Sequence, residues 1–251
     1  MSSNSKVKTV FITGSSSGIG RATALQFAQT GNKIILTYHK DKKAGEEVAG
    51  KCMDLGAADV LLVNLDVTND NSIKAGVEQI INKFKSIDIL INNAGVVVKN
   101  YLVEQSLLDI DRQVATNLNG AVKVTRACLP YISYSVVMVG SGAAIRGIRK
   151  FSVYSATKFG LRGFAQALAQ ELPKFKVYTV NPGVTATRMT NFNGLAPDVV
   201  ADIIFKAATG FYRASSGSDI NVWEYRHGRL ARYGIIITRW LKKMVKRILY
   251  K

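Results

Sequence analysis

Short runs of β-branched and aliphatic residues alternate with helix-period segments along most of this chain, and no other feature restricts its fold so tightly. Val7–Thr13 is apolar and β-branched, and a glycine-rich turn and helix-period residues over Ile19–Ala28 follow it. The alternation predicts a strand at Lys33–Tyr38, a helix at Lys42–Leu55, a strand at Val60–Leu65, a helix at Ser72–Phe84 and a strand at Ile87–Ile91. It continues with a long helix before Pro130, a strand at Ser135–Val139, a helix at Val153–Leu172 and a strand at Val177–Asn181. A helix from Pro197 to Thr209 and a short strand near Ile220–Trp223 complete the pattern. Strands that are apolar throughout are buried on both faces, which requires helices on either side of a parallel sheet. The expectation is a doubly wound, Rossmann-type α/β sheet of about seven strands with ligands at the carboxyl ends of the strands.

With 251 residues and 47% hydrophobic content the chain suffices for one large domain. The formal net charge is +17, which points to an anionic partner. That charge is unevenly placed. Residues 226–251 hold nine basic residues and no acid, so the first 225 carry 25 bases against all 17 acids and are only +8. The expected organisation is therefore a catalytic domain over 1–225 and a basic C-terminal helix over 226–251. Two cysteines, Cys52 and Cys128, and two distant histidines, His39 and His227, match neither a disulfide framework nor a metal-ligand spacing. No run reaches the roughly 18 apolar residues of a membrane span, and no cleavable signal precedes the first strand. A cytoplasmic protein, at most peripheral at a membrane surface, is the expectation.

The first strand runs into Thr13-Gly14-Ser15-Ser16-Ser17-Gly18-Ile19-Gly20. Glycines at such a junction permit a sharp turn, admit a pyrophosphate close to the backbone and let the helix pack near the strand, while the helix N-terminus offers N–H donors. Arg21 stands where a P-loop would need its Lys-Ser/Thr ending. Further along come Asp66 after the third strand, Asn92-Asn93-Ala94-Gly95 after the fourth, and Pro182-Gly183 after the sixth. Alone, Asp66 reads equally as a loop residue capping the next helix, and the asparagines as turn formers. In this order and spacing the segments resemble the TGxxxGxG, NNAG and PG motifs of the classical short-chain dehydrogenase/reductase (SDR) family, over residues 7 to about 223. The resemblance implies a bound nicotinamide dinucleotide contacted by Gly14, Ser16, Ser17, Gly18, Ile19 and Gly20 at the phosphates. It also implies Asp66 at the adenine, Asn93, Ala94 and Gly95 along the floor, and Pro182, Gly183, Val184 and Thr187 at the carboxamide end.

An acid at the tip of the second strand suits NAD(H), and a basic residue suits the 2′-phosphate of NADP(H). Here the strand ends Leu36-Thr37-Tyr38-His39-Lys40. Lys40 or Lys42 can reach a phosphate, and Asp41 suits the N-cap of the next helix. NADP(H) is favoured, with NAD(H) as the alternative.

Tyr154 and Lys158 are spaced i, i+4 and share a helix face. A phenol of pKa about 10 becomes useful near neutral pH when a cation stabilises its phenolate. Tyr154-Ser155-Ala156-Thr157-Lys158 matches the family's YxxxK element, Ser141 its catalytic serine and Asn117 the asparagine completing a tetrad. The resemblance implies that Tyr154 exchanges a proton with the substrate oxygen and that Ser141 holds that oxygen. Lys158 would grip the nicotinamide ribose and lower the Tyr154 pKa, and Asn117 would support a water relay. The competing class is a non-enzymatic sensor or scaffold, which needs the glycine turn but not the acid/base pair.

Arg146, Arg149 and Lys150, between Ser141 and Tyr154, suit an anionic substrate group or form a solvated basic loop. Met189, Phe192 and Leu195 in the short lid offer apolar contacts. At 100° per residue Leu230, Tyr233, Ile237, Leu241, Met244 and Ile248 share one face of the tail and the basic residues the other. Such a helix fits a membrane interface or a protein surface, including a second subunit, better than nucleic acid. A homo-oligomer is expected, although the family's glycine-rich C-terminal segment is replaced by this tail. The partner expected for the body is a small carbonyl or alcohol substrate, anionic or apolar.

Overall fold

A computed structural model describes residues 7–212 and 214–227, without side chains for 225–227; the tail helix expected over 226–251 lies almost wholly outside the described residues. Seven strands form one parallel sheet: β1 (Thr9–Ile12), β2 (Lys33–Tyr38), β3 (Asp59–Asn64), β4 (Ile87–Asn92), β5 (Ile132–Val139), β6 (Lys176–Asn181) and β7 (Asp219–Asn221). Their spatial order is β3-β2-β1-β4-β5-β6-β7, so the winding reverses between β1 and β4. At that point the loops after the two strands turn opposite ways and leave a crevice.

Side-chain alternation divides the core. Val10, Ile12, Ile34 and Leu36 face one side with Phe27 of α1 (Gly18–Ala28), Val48 of α2 (Lys42–Asp54) and, with the other sheet edge, Ile204 of α7 (Pro197–Ala208). Phe11, Ile35 and Leu90 face the other side with Ile73 of α3 (Asp70–Phe84), Val124 of α5 (Ala121–Cys128) and Leu161 of α6 (Ser152–Glu171). Each fully buried large aliphatic or aromatic side chain is worth about 1.5–3 kcal/mol, so the two layers hold the sheet between them and fix where its strand ends emerge. Asp41 caps α2 as expected, accepting from the Ala44 N–H at 3.0 Å.

Two elements differ from the periodicity. The long helix before Pro130 is divided into α4 (Leu107–Val114), a π-helical stretch over Ala115–Gly120, and α5. The wider turn falls where Gly120 passes Val67 so closely that a Cβ would lie 2.9 Å from the Val67 carbonyl oxygen. The last strand ends at Asn221, and Val222–His227 is helical (α8), which places Trp223 in a helix rather than in the strand expected for it. Among the described residues no helix is long and apolar enough to cross a membrane.

Candidate active site

The turn after β1 is built from backbone that only glycine adopts freely: Gly14 has φ +63° and Gly18 φ +56°. It is tied on two sides. The Gly14 N–H donates to the Thr37 hydroxyl at 2.8 Å, and the Thr37 N–H to the Ser15 hydroxyl at 2.7 Å. From β4, the Asn93 side-chain amide donates to the carbonyls of Thr13 and Gly14, and the Thr13 hydroxyl accepts from the N–H groups of Asn93 and Ala94, all at 3.0 Å. Ser17, the N-cap of α1, makes no capping hydrogen bond, so N–H groups at the head of the helix remain available to an anion.

Gly14, Ser16, Ser17, Gly18, Ile19, Lys40, Asp66, Asn93, Ala94, Gly95, Tyr154, Lys158 and Thr187 line one cleft of about 990 Å³ at the carboxyl edge of the sheet. Gly20 does not line it. A Cβ there would stand 2.4 Å from the Gly14 carbonyl oxygen, so this glycine serves helix-to-strand packing rather than ligand contact. Pro182, Gly183 and Val184 also stand off the cleft wall: the Pro182 carbonyl accepts from the Gly142 N–H at 2.8 Å, joining the turn after β6 to the loop that carries Ser141. Thr187 reaches the cleft, its methyl 3.1 Å from where a Gly18 Cβ would be.

At the end of the cleft beside β2 and β3, Asp66 accepts from the Thr68 N–H at 2.9 Å and the Thr68 hydroxyl at 2.7 Å, and lies 3.5 Å from His39 Nε2. Burial raises its pKa, but these hydrogen bonds, with His39 and Lys40 nearby, outweigh burial and hold the carboxyl below its usual value. Asp66 does not cap the next helix; Asn69 does, accepting from the Ser72 N–H. Lys42 is drawn away to Glu46 at 3.4 Å and does not line the cleft, which leaves Lys40.

At the chemical end, Lys158 is buried and its Nζ donates to the Val139 carbonyl at 2.8 Å, 5.7 Å from the Tyr154 ring centroid. Burial pushes the Lys158 pKa down to about 8 and pushes the Tyr154 phenol above its usual value, the adjacent Ser141 hydroxyl acting in the lowering direction. The expected lowering of the Tyr154 pKa by Lys158 is therefore corrected: desolvation of both groups prevails. Asn117 uses its side chain structurally: Oδ1 accepts from the Val96 N–H at 2.7 Å, and Nδ2 donates to the Val96 carbonyl at 2.8 Å and to the Thr157 hydroxyl at 3.2 Å. Ser141 receives the Ala143 N–H at 3.1 Å and gives its own N–H to Asn181 Oδ1 at 3.2 Å. Neither Asn117 nor Ser141 lines the cleft itself.

The buried ammonium has a consequence for stability. A folded pKa below the unfolded value makes the charged form costly, so the penalty is full below about pH 8, declines as pH rises toward 10.5 and is absent above it. Lys158→Met should accordingly raise the melting temperature of the ligand-free protein at pH 7 by a few degrees, with the gain vanishing by about pH 10.5. Calorimetry at both pH values measures this; a variant that melts earlier at pH 7 would show that losing the bond to Val139 outweighs the relief.

Several cleft residues carry no motif. His39, Thr37, Arg112, Thr116 and Arg188 line it. Arg112 and Thr116 are four apart, and Thr116 immediately precedes Asn117, a spacing that could have flagged them. Leu195 is no lid residue: it pairs with Thr185 and packs on the core, leaving Met189 on the cleft and Phe192 exposed. Arg149 and Lys150 lie off the cleft against Tyr101. No group of three or more His, Cys, Asp or Glu that could hold a metal ion occurs among the described residues.

Residues 8–196 match the family model described as short chain dehydrogenase. An 11-beta-hydroxysteroid dehydrogenase-like protein of Arabidopsis thaliana is 33% identical over 78% of this chain and 65% of its own length. A 3-ketodihydrosphingosine reductase of Bacteroides thetaiotaomicron is 34% identical over 72% of this chain and 65% of its own. The match thus spans slightly under two thirds of these relatives. A crystal structure of a short chain dehydrogenase from Burkholderia cenocepacia in complex with NADP superposes with a TM-score of 0.79 at 26% identity, covering 85% of this chain and 95% of that one. A 3-ketoacyl-(acyl-carrier-protein) reductase from Brucella melitensis complexed with NADH reaches the same TM-score at 28% identity, over 86% and 96%. Sheet order, clamped glycine turn, the Tyr154–Lys158 pair and the match over residues 8–196 agree: the chain belongs to the short-chain dehydrogenase family.

Proposed function

We propose that the chain is an NADP(H)-preferring oxidoreductase that interconverts a carbonyl and an alcohol. The observation that carries this reading is the single cleft with the glycine turn at one end and Tyr154 and Lys158 at the other. The cleft fits a dinucleotide: positions 14 and 18 adopt positive φ with no Cβ, and the head of α1 offers uncapped N–H groups. When bound, the nicotinamide supplies or accepts the hydride.

The remaining work falls to the chain. Tyr154, neutral at pH 7 because burial raises its pKa, is set to donate a proton to the carbonyl oxygen during reduction. Ser141 hydrogen-bonds the same oxygen and stabilises charge building there. Lys158 holds the ribose hydroxyls. Gly95 keeps open the space between Asn117 and Lys158: a Cβ would lie 3.2 Å from Asn117 Oδ1 and 3.8 Å from Lys158 Nζ. A water in that gap gives Lys158 a route for protons, which is the relay assigned to Asn117. Desolvation of Lys158 lowers its affinity for its own proton and readies it to pass one on.

The cofactor preference rests on Lys40, with His39 beside it on the cleft wall; Asp41 lines the same wall, but its carboxylate accepts from the Ala44 N–H at 3.0 Å as the cap of α2. A screen of carbonyl compounds with NADPH and NADH tests the whole reading: oxidation of NADPH by at least one member is expected, and nucleotide binding with no turnover on any would favour the sensor. Lys40→Glu should cut kcat/KM for NADPH by about 10- to 100-fold, the scale of one charge-assisted contact, while NADH is affected far less. Equal losses for the two nucleotides would remove Lys40 from the selectivity.

A further inference from the structure

Beside the proposed acid/base pair stands a group of cations that form no ion pair among the described residues. Between Asp111 and Asp198 the chain carries eleven basic residues and a single acid, Glu171. Some of the eleven are neutralised elsewhere: Arg112 by Asp109, Lys123 by Asp70 and Arg162 by Asp219. Those flanking Ser141 and Tyr154 are not. Arg146, Arg149 and Lys150, and Lys99 from the neighbouring loop, are exposed and form no ion pair among the described residues.

Two of these cations are held in place by one ring. The Asn100 N–H donates to the Lys150 carbonyl at 3.0 Å, which ties the loop after β4 to the loop after β5. The Arg149 guanidinium donates to the Tyr101 hydroxyl and lies 5.2 Å from the ring centroid; Lys150 Nζ lies 4.5 Å from the same centroid. Lys150 has φ +69°, a left-handed backbone that a lysine rarely adopts, and this bend brings both side chains onto Tyr101. Phe151, the next residue, packs edge-on against Tyr154 with centroids 6.1 Å apart, so the rim adjoins the end of the cleft where chemistry would occur.

Two like charges gathered at one ring repel each other and are relieved by an anion placed between them. A phosphate offers several acceptor oxygens, matching a guanidinium fork and a lysine point charge together, whereas a lone carboxylate is satisfied by the arginine. We propose that the Tyr101–Arg149–Lys150 rim, with Lys99 and Arg146 around it, docks a phosphate carried by the substrate, so that the chain acts on carbonyl compounds borne on a phosphorylated handle. This rests on the carbonyl-reductase reading above. Coenzyme A and carrier-bound phosphopantetheine share that chemistry.

The test compares acetoacetyl-coenzyme A, acetoacetyl-phosphopantetheine and the uncharged N-acetylcysteamine thioester of acetoacetate, which present the same reacting group. We expect kcat/KM for at least one phosphorylated thioester to exceed that for the uncharged one by about tenfold or more, and the ratio to shrink about tenfold in Arg149→Gln/Lys150→Gln and as salt is raised. Preference for coenzyme A alone would place its nucleotide phosphates on the rim; parity of the two phosphorylated probes would place the pantetheine phosphate there. Equal values for all three, or a ratio indifferent to the double variant, would overturn the proposal. A second readout is calorimetric titration of free coenzyme A into the NADP⁺-saturated protein. No binding, or binding undiminished in the double variant, also overturns it, whether or not any thioester turns over. Binding that the double variant weakens, with no carbonyl compound ever reduced, would leave the rim and sink the reductase reading instead.

Discussion

Tyr154→Phe should lower kcat for carbonyl reduction by about 10²- to 10⁴-fold, the range supplied by a positioned general acid, while leaving NADPH affinity within a few-fold. The substitution removes one oxygen and keeps the ring that packs against Phe151 at 6.1 Å, so the fold and the neighbouring walls persist. Ser141 remains to hold the substrate oxygen but has no proton near the right acidity to give. The wild-type phenol is held above its usual pKa by burial, so at pH 7 it is almost wholly protonated and competent to donate. The reverse reaction needs the phenolate, and alcohol oxidation should climb more steeply with pH than reduction does. Single-turnover measurements at saturating nucleotide provide the check; a variant within a factor of a few of wild type would remove Tyr154 from the chemistry.

The second large effect is expected at a residue that touches no ligand. In Gly20→Ala the new methyl would stand 2.4 Å from the Gly14 carbonyl oxygen and 2.5 Å from Asn93 Nδ2. Neither neighbour is free to yield. The Gly14 carbonyl belongs to the turn itself, and Asn93 is the clamp that joins β1 to β4. Helix α1 must move away from the sheet, at a loss of roughly 3 kcal/mol or more by comparison with other overpacked cores. The melting temperature should fall by about 6–12 °C for a domain of this size, and dinucleotide affinity should fall with it because the head of α1 leaves the phosphates. Gly50→Ala, where a Cβ meets nothing within 4 Å, is the matched control. A Gly20→Ala protein as stable as that control would show that the turn has slack which the clamp conceals.

Much of this was legible before any coordinates, and the reasons are local. The bounds of β2 are legible because Ile34, Ile35, Leu36 and Tyr38 make a largely apolar run between Gly31 and the capping Asp41. The capping role of Asp41 is legible because an N-cap has its own sequence signature, but its place on the cleft lining beside Lys40 is not. The π-helical stretch was not legible: its side-chain periodicity resembles that of the helices on either side, and the feature that widens it, Val67 against Gly120, lies far off in sequence. Leu195 was misplaced for a similar reason, since an apolar residue in a lid segment reads as a substrate contact until its pairing with Thr185 is seen. Lys40 and Lys42 were indistinguishable in sequence; what parts them is Glu46, one helical turn beyond Lys42. The motif-bearing residues gather on one edge, but Gly20 and Asn117 act behind the cleft wall, and the Pro182–Val184 turn, exposed at Gly183 and Val184, lies outside its lining.

The clamp between the glycine turn and β4 bears on how this cleft can change over evolutionary time. Its four hydrogen bonds each join a side chain to the backbone and are made wholly within the chain, so the turn is tied to β4 by the protein's own groups. Ordering of that turn is met during folding, and grip on the dinucleotide is therefore common to either nucleotide. At the tip of β2 the cleft is lined instead by the exposed residues His39 and Lys40, with His39 Nε2 3.5 Å from Asp66. Affinity and selectivity are housed in different materials, one in main chain that tolerates no alteration and the other in two surface side chains. On the reading proposed above, a single exchange at Lys40 would redirect the preferred nucleotide while the turn and its clamp stay intact.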